Sequence, residues 1–232
     1  MQISNETFEI LKNFALINPS IALSPGQTLQ TVAPSKTIMA KASIKDEFPS
    51  PGAIYDLNRF LGVVSLFEQP SFDFGQSSVK IQGKNNSVNY TFADPSMIVT
   101  PPDNKSINVD SPDVEIDLVW SKLSNVLKAA NVLQVPEIAL TSNDGVINLR
   151  AIDSKNPSTD TYQEQVGSVG SNNASSSSED YNFIFKTENF KMMSADYNVK
   201  INKQGISQFT SVSEGPQLTY WIAVESHSTF GE

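Results

Sequence analysis

The strongest constraint on this chain is that it runs through the same order of elements twice. Each half begins with a helical periodicity, passes through short alternating stretches to a second helical stretch, and closes on further strand patterns. In the first half Ser4 is placed to cap a helix with Glu6 in its first turn, and Phe8, Leu11 and Ala15 fall on one face. In the second half Val119, Leu123, Val126, Leu127 and Ala130 form the corresponding stripe. Lys12 and Lys128 each lie away from their stripe and stand half the chain apart. Such a duplication predicts an α+β architecture of two similar domains, with helices laid on antiparallel sheets.

The remaining elements follow from local pattern. IALSPGQTLQTV (21–32) predicts two short strands turned by Ser24-Pro25-Gly26, and TIMAKASI (37–44) a third. Asp56 opens a second helix in which Leu57, Phe60, Leu61 and Val64 are spaced for one face, with Arg59 opposite. SFDF, SVKIQ and SVNYTF alternate as strands between Gly75, Gly83 and the Lys84-Asn85-Asn86 turn. Residues 94–112 carry four prolines and no sustained period, which predicts an extended connector between domain 1–93 and domain 113–232. Beyond it, Ser142-Asn143-Asp144-Gly145 joins EIALT and VINLRAI as a hairpin. A short helix is expected near Thr187, with Phe190 and Met193 apolar and Lys191 between them, before three closing strands. The interval from Lys128 to Lys191 exceeds that from Lys12 to Arg59 by about the length of the Ser/Asn-rich stretch 165–180, which reads as a mobile surface loop.

Composition removes several function classes. A hydrophobic share of 39% supplies real cores, and 25 acidic against 16 basic residues give a net charge of −9, which disfavours indiscriminate nucleic-acid binding over the whole surface. With no cysteine there are no disulfides, thiolate nucleophiles or cysteine zinc sites. The opening MQISNETFEI has no basic or apolar leader pattern, and no run approaches a membrane span, so a cytoplasmic protein without a membrane partner is expected. Asn-x-Ser/Thr matches at Asn5, Asn85, Asn89 and Asn173 are then chance occurrences.

Searches for chemistry return little. No GxGxxG, Walker A or HExxH pattern is present, and the one histidine, His227, lies in a tail expected to fray. Asp113, Glu115 and Asp117 alternate and could share a strand face as Mg²⁺ ligands, but acids beside a helix start are the more ordinary reading. Trp120, Tyr220 and Trp221 could stack on bases, although core or interface packing suits their apolar surroundings better. No catalytic residue, metal or cofactor is therefore expected. Taken singly, Lys12, Arg59, Lys128 and Lys191 are ordinary solvated side chains. Their recurrence in a duplicated order predicts one basic surface at phosphate-contact range, without groups that read bases.

Five runs then carry a resemblance. ILKNFALIN (10–18), AIYDLNRFLGVVSLF (53–67), ADPS (93–96), LQVPEIAL (133–140) and IAVES (222–226), in order along essentially the whole chain, resemble the DNA polymerase sliding clamps of tailed bacteriophages. That resemblance implies the DNA-clamp fold: two similar domains with sheets outside and paired helices inside, assembled as a homotrimeric ring around duplex DNA. It implies a clamp that tethers the replicative DNA polymerase, is placed on DNA by a clamp loader ATPase, and works in the host cytoplasm, with a use in transcription left open. Lys12 and Lys128 lie within or beside the matching runs and take the DNA-facing role first, followed by Arg59 and, from position alone, Lys122, Lys186 and Lys191. Met97, Ile98 and Val99 are the candidate edge of a partner-binding pocket near the connector. The rival readings are a β-rich phage structural component, an oligonucleotide-binding barrel and a hydrolase. The barrel needs cations interleaved with aromatics on strands, whereas here the cations fall on helices.

Overall fold

The computed structural model describes residues 1–102, 107–171, 174–176, 179–212 and 215–231. The chain divides into two compact units, Met1–Lys105 with Glu214–Leu218, and Ser106–Ser213 with Thr219–Glu232. The first unit carries α1 (Asn5–Ile17), β1 (Ile21–Leu23), β2 (Gly26–Val32), β3 (Ile38–Phe48), β4 (Gly52–Ile54), α2 (Leu57–Val64), β5 (Ser71–Phe74), β6 (Ser78–Gln82) and β7 (Ser87–Thr91). The second carries β8 (Val114–Leu118), α3 (Trp120–Leu133), β9 (Glu137–Asn143), β10 (Val146–Ile152) and β11 (Tyr162–Ser168). It continues with β12 (Ala174–Ser176), β13 (Tyr181–Lys186), β14 (Tyr197–Ile201), β15 (Ile206–Ser211), β16 (Leu218–Ala223, from Thr219 on) and β17 (Thr229–Phe230).

Helix α1 forms where its sequence directs. Ser4 Oγ accepts from Thr7 N at 3.3 Å while donating to Asp46 Oδ2 at 2.7 Å, so the cap is itself oriented by β3. Ile10, Leu11, Phe14 and Ile17 are buried, Phe8 half-buried. Helix α2 is capped by Asp56, whose Oδ1 accepts from Arg59 N at 2.8 Å, and buries Leu57, Phe60 and Val64. Helix α3 packs on β9, β10 and β11 and buries Leu123, Val126 and Ala130. Val119, expected on that stripe, is instead the residue before the helix and is 47% exposed.

The two units use matching pairings. β1 pairs with β4 in the first and β9 with β13 in the second; β2 pairs with β3 as β10 pairs with β11, all antiparallel. The expected β1–β2 hairpin is thus corrected. Pro25 and Gly26, the latter at φ 107°, redirect the chain, and each strand finds a partner elsewhere. The β9–β10 hairpin forms as expected, because Asp144 and Gly145 take φ values of 50° and 75°, the primed-turn geometry that follows strand twist. β5-β6-β7 and β8-β14-β15-β16 complete the antiparallel sheets within the units.

Three further expectations are corrected. The fourth helix is absent among the described residues: a 3₁₀ turn at Thr187–Asn189 stands there, and irregular chain follows. Its backbone is claimed by tyrosines, since Met193 N donates to Tyr220 Oη at 3.2 Å and Met193 O accepts from Tyr197 Oη at 2.6 Å. Stretch 165–180 is not simply a loop. Its start belongs to β11, with Val166 buried, and β12 pairs antiparallel with β8; residues 172–173 and 177–178 of that stretch lie outside the described residues. A polar strand needs only its backbone ladder, which leaves no apolar period to read. The C-terminal segment is held rather than frayed, with β17 on β13, Ile184 N donating to Ser228 Oγ at 2.9 Å and Gly231 N to Asp180 O at 2.9 Å.

Candidate nucleic-acid interface

The exposed residues of α1 each have an exposed counterpart on α3 at the half-chain interval. On α1 the exposed stripe is Asn5, Glu9, Lys12 and Leu16; on α3 it is Ser121, Asn125, Lys128 and Val132, with Asn131 exposed in addition where α1 has the buried Ala15. Every pair is separated by half of the 232 residues. Both stripes run polar, polar, lysine, aliphatic, and the aliphatic ends are open to solvent, Leu16 at 63% and Val132 at 78%. Sequence reasoning found the lysines and placed Ser121 and Asn125 beside Lys128, but did not match them to Asn5 and Glu9 or pair Leu16 with Val132. The signal was available in the same half-chain interval applied one turn either way.

The two lysines differ in their surroundings. Lys12 Nζ lies 2.7 Å from Glu9 Oε1, whereas the residue matching Glu9 on α3 is the neutral Asn125. Lys128 makes no ion pair among the described residues. Arg59 is exposed on α2, on a groove whose other walls include Tyr55, Asp56 and Tyr90. Burial and the Asp56 carboxylate push the Tyr90 phenol up, and the Arg59 guanidinium offsets part of that.

The other candidate cations are held differently. Lys122 Nζ donates to Gln165 O at 2.6 Å, which turns it toward β11. Lys186 is exposed at the end of β13, opposite Glu137 in the ladder, and Lys191 is half-buried in the irregular segment rather than on a helix. The three residues Met97, Ile98 and Val99 also divide. Ile98 is buried at 7% and belongs to the core, while Met97 and Val99 are exposed. Val99 borders a groove of about 280 Å³ with Ser20, Ile21, Gln30 and Pro101, and its carbonyl accepts from Asn18 Nδ2 at 3.2 Å.

The acids considered as metal ligands are committed to structure on or beside β8. Asp113 accepts from Lys203 N, Glu115 lies 3.6 Å from Lys200 Nζ, and Asp117 accepts from Asn198 Nδ2. His227 does meet a serine and a carboxylate. However, Ser154 Oγ at 3.2 Å and Glu137 Oε1 at 3.3 Å both approach the same nitrogen, Nε2. A nucleophile–base–orienter relay uses the two ring nitrogens separately, so this cluster is a tie and not a relay. Trp221 Nε1 donates to Ile107 O, and Tyr220 is fully buried, which makes both packing residues.

A family model described as "DNA polymerase processivity factor" matches residues 4–100, and one described as "gp45 sliding clamp, C terminal" matches residues 115–226. The sliding clamp of Enterobacteria phage T4 is 32% identical over 99% of this chain and 99% of its own length, and that of Escherichia phage RB69 is 32% identical over the same shares. The chain belongs to the bacteriophage sliding-clamp family. The clamp is accordingly a polymerase processivity factor and not an enzyme. Among solved structures, A. fulgidus PCNA bound to the C-terminal region of FEN-1 aligns with a TM-score of 0.69 at 12% identity, over 98% of both chains. DNA polymerase III subunit beta of Borrelia burgdorferi gives 0.71 at 13%, over 98% of this chain and 64% of that one. At such identities the likeness speaks for fold, and the clamp fold extends over essentially the whole chain. Among the described residues no helix is long and apolar enough to cross a membrane.

Proposed function

We propose that this clamp closes as a homotrimer around duplex DNA in the host-cell cytoplasm, with the outer faces of α1, α2 and α3 toward the phosphates. Lys12, Arg59 and Lys128 are the DNA-facing cations, and Lys122, Lys186 and Lys191 are secondary. The observation that carries this reading is the matched exposed stripe around Lys12 and Lys128. Residues with no packing role have no structural reason to repeat in register, whereas two helices that meet the same ligand do. The ligand suited to two sparse cationic faces on a chain of net charge −9 is a polyanion held loosely.

Retention is topological in this scheme. A closed ring leaves DNA only by opening or by reaching an end, so each phosphate contact can be weak, and a strongly neutralising surface would resist sliding. The clamp tethers DNA polymerase and raises its effective concentration at the primer end. A clamp loader ATPase opens and places the ring. Met97 and Val99, with the groove beside Val99, are the docking edge for partner peptides, and Ile98 supports them from the core. Self-association is supported by β7 and β11, each at one edge of its sheet among the described residues.

The test is combined replacement of Lys12, Arg59 and Lys128 by alanine. Sedimentation should still give the mass of a trimer, and processivity on primed circular DNA should fall. Unchanged processivity would count against these residues, and a monomer mass for the unmodified chain would count against the ring.

A further inference from the structure

We propose that Glu9 is a built-in competitor for Lys12, so that the two matched lysines contribute unequally and Lys128 makes the principal phosphate contact. This inference rests on the reading that the outer faces of α1 and α3 meet DNA. Its basis is the single charge difference between otherwise matched stripes. Lys12 has a carboxylate one turn away at 2.7 Å, and Lys128 has Asn125 at that place. Both members of the Lys12–Glu9 pair are more than half exposed, at 59% and 58%. Exposed pairs of this kind add little to stability, so the pairing has slight value to the fold itself.

Its effect on a passing phosphate is larger. A phosphate approaching Lys12 meets a net neutral pair and must displace the carboxylate to form a charge-assisted hydrogen bond. A phosphate approaching Lys128 meets an ammonium that has no ion-pair partner among the described residues. The first unit then guides DNA and the second holds it, and each copy of the chain brings one attenuated and one full contact. A carboxylate that exchanges with phosphate at the same ammonium also gives Lys12 an alternative partner while DNA moves past.

Binding of an end-labelled linear duplex by the assembled clamp, measured over a KCl series, tests this with Glu9→Gln, Lys12→Ala, Lys128→Ala and the double variant Glu9→Gln/Lys12→Ala. Every phosphate newly neutralised by the protein steepens the log K against log salt slope by about 0.9. Glu9→Gln should therefore steepen the slope by roughly that amount per copy, and the steepening should vanish in the double variant. Lys12→Ala alone should change the slope little, and Lys128→Ala should flatten it. An unchanged slope in Glu9→Gln, with a flattened one in Lys128→Ala, overturns the competition while sparing the helix-face reading. No change in Lys128→Ala overturns that reading and the inference with it. A Glu9→Gln effect that survives loss of Lys12 shows a general charge effect and overturns the pairing.

Discussion

His227 Nε2 stands 3.3 Å from Glu137 Oε1, and this contact ties the C-terminal segment to the first residue of β9. Burial acts to raise the Glu137 carboxyl, but hydrogen bonds from the Ser154 side chain and backbone, with the nearby His227 imidazole, bring it below the usual carboxylate range. A lowered folded-state value means stability that is present above the ordinary Glu value and lost as pH falls through the folded one. Glu137→Gln should cost about 1–3 kcal/mol and remove this acid-side dependence. Thermal melts between neutral and acidic pH, with hydrogen exchange at Ile184 and Gly231, would register both effects.

The cap of α1 carries a second acid-sensitive device. Asp46 receives Ser4 N at 2.8 Å and Ser4 Oγ at 2.7 Å. Burial raises its carboxyl, yet the hydrogen bonds from Thr7 and Ser4 leave it lowered overall. Its contribution is present above the ordinary Asp value and disappears as pH falls through the folded one. Ser4→Ala should cost about 1 kcal/mol. Asp46→Asn should cost less and flatten the acid limb of the stability profile, as urea titrations at several pH values would reveal.

Alkaline pH should act on the segment that replaces the fourth helix. Burial pushes the Tyr220 phenol up to about 12, partly offset by the Met193 N–H, and pushes Tyr197 up further with help from Tyr220. Folded values above the unfolded one mean stability that is intact below pH 10 and declines as pH rises toward the folded values. Tyrosinate absorbance of these two rings should therefore appear with unfolding rather than before it. Tyr197→Phe should cost about 1–3 kcal/mol, because the Met193 carbonyl loses its donor.

Gly52 tests packing in the first unit. A Cβ there would lie 2.9 Å from Phe92 Cζ, so Gly52→Ala forces the Phe92 ring to move. The expected cost is about 1–3 kcal/mol. Adding Phe92→Leu should recover part of it in denaturant melts, and additive losses would show that the two sites do not meet.

What the sequence made legible was governed by local rules. α1, α2 and α3 each declare a cap or an apolar stripe, and Asn143-Asp144-Gly145 declares its turn. The partner of β1 was not legible, because β4 lies beyond two other strands and pairing leaves no mark in local pattern. The segment that replaces the fourth helix has its backbone held at Met193 by Tyr197 from close by and by Tyr220 from 27 residues away, and the second contact leaves no mark in local pattern. β12 was hidden for the opposite reason: serine-rich chain has no periodicity to show, and its ladder is made by backbone alone. Of the candidate site, periodicity found Lys12, Arg59 and Lys128. It could not show that Lys122 bends to Gln165 or that Ile98 turns inward, since both depend on what lies opposite in space.

Ser43 N donates to Gln217 O at 3.0 Å, and the first unit takes in Glu214–Leu218 from near the end of the chain. A growing polypeptide therefore cannot finish its first unit when that unit's main segment has been made. The opening elements must wait, with part of β3's surroundings incomplete, until the segment Glu214–Leu218 has been made. Products truncated before that segment should then carry two unfinished units rather than one finished unit, which makes its synthesis the checkpoint for a competent subunit.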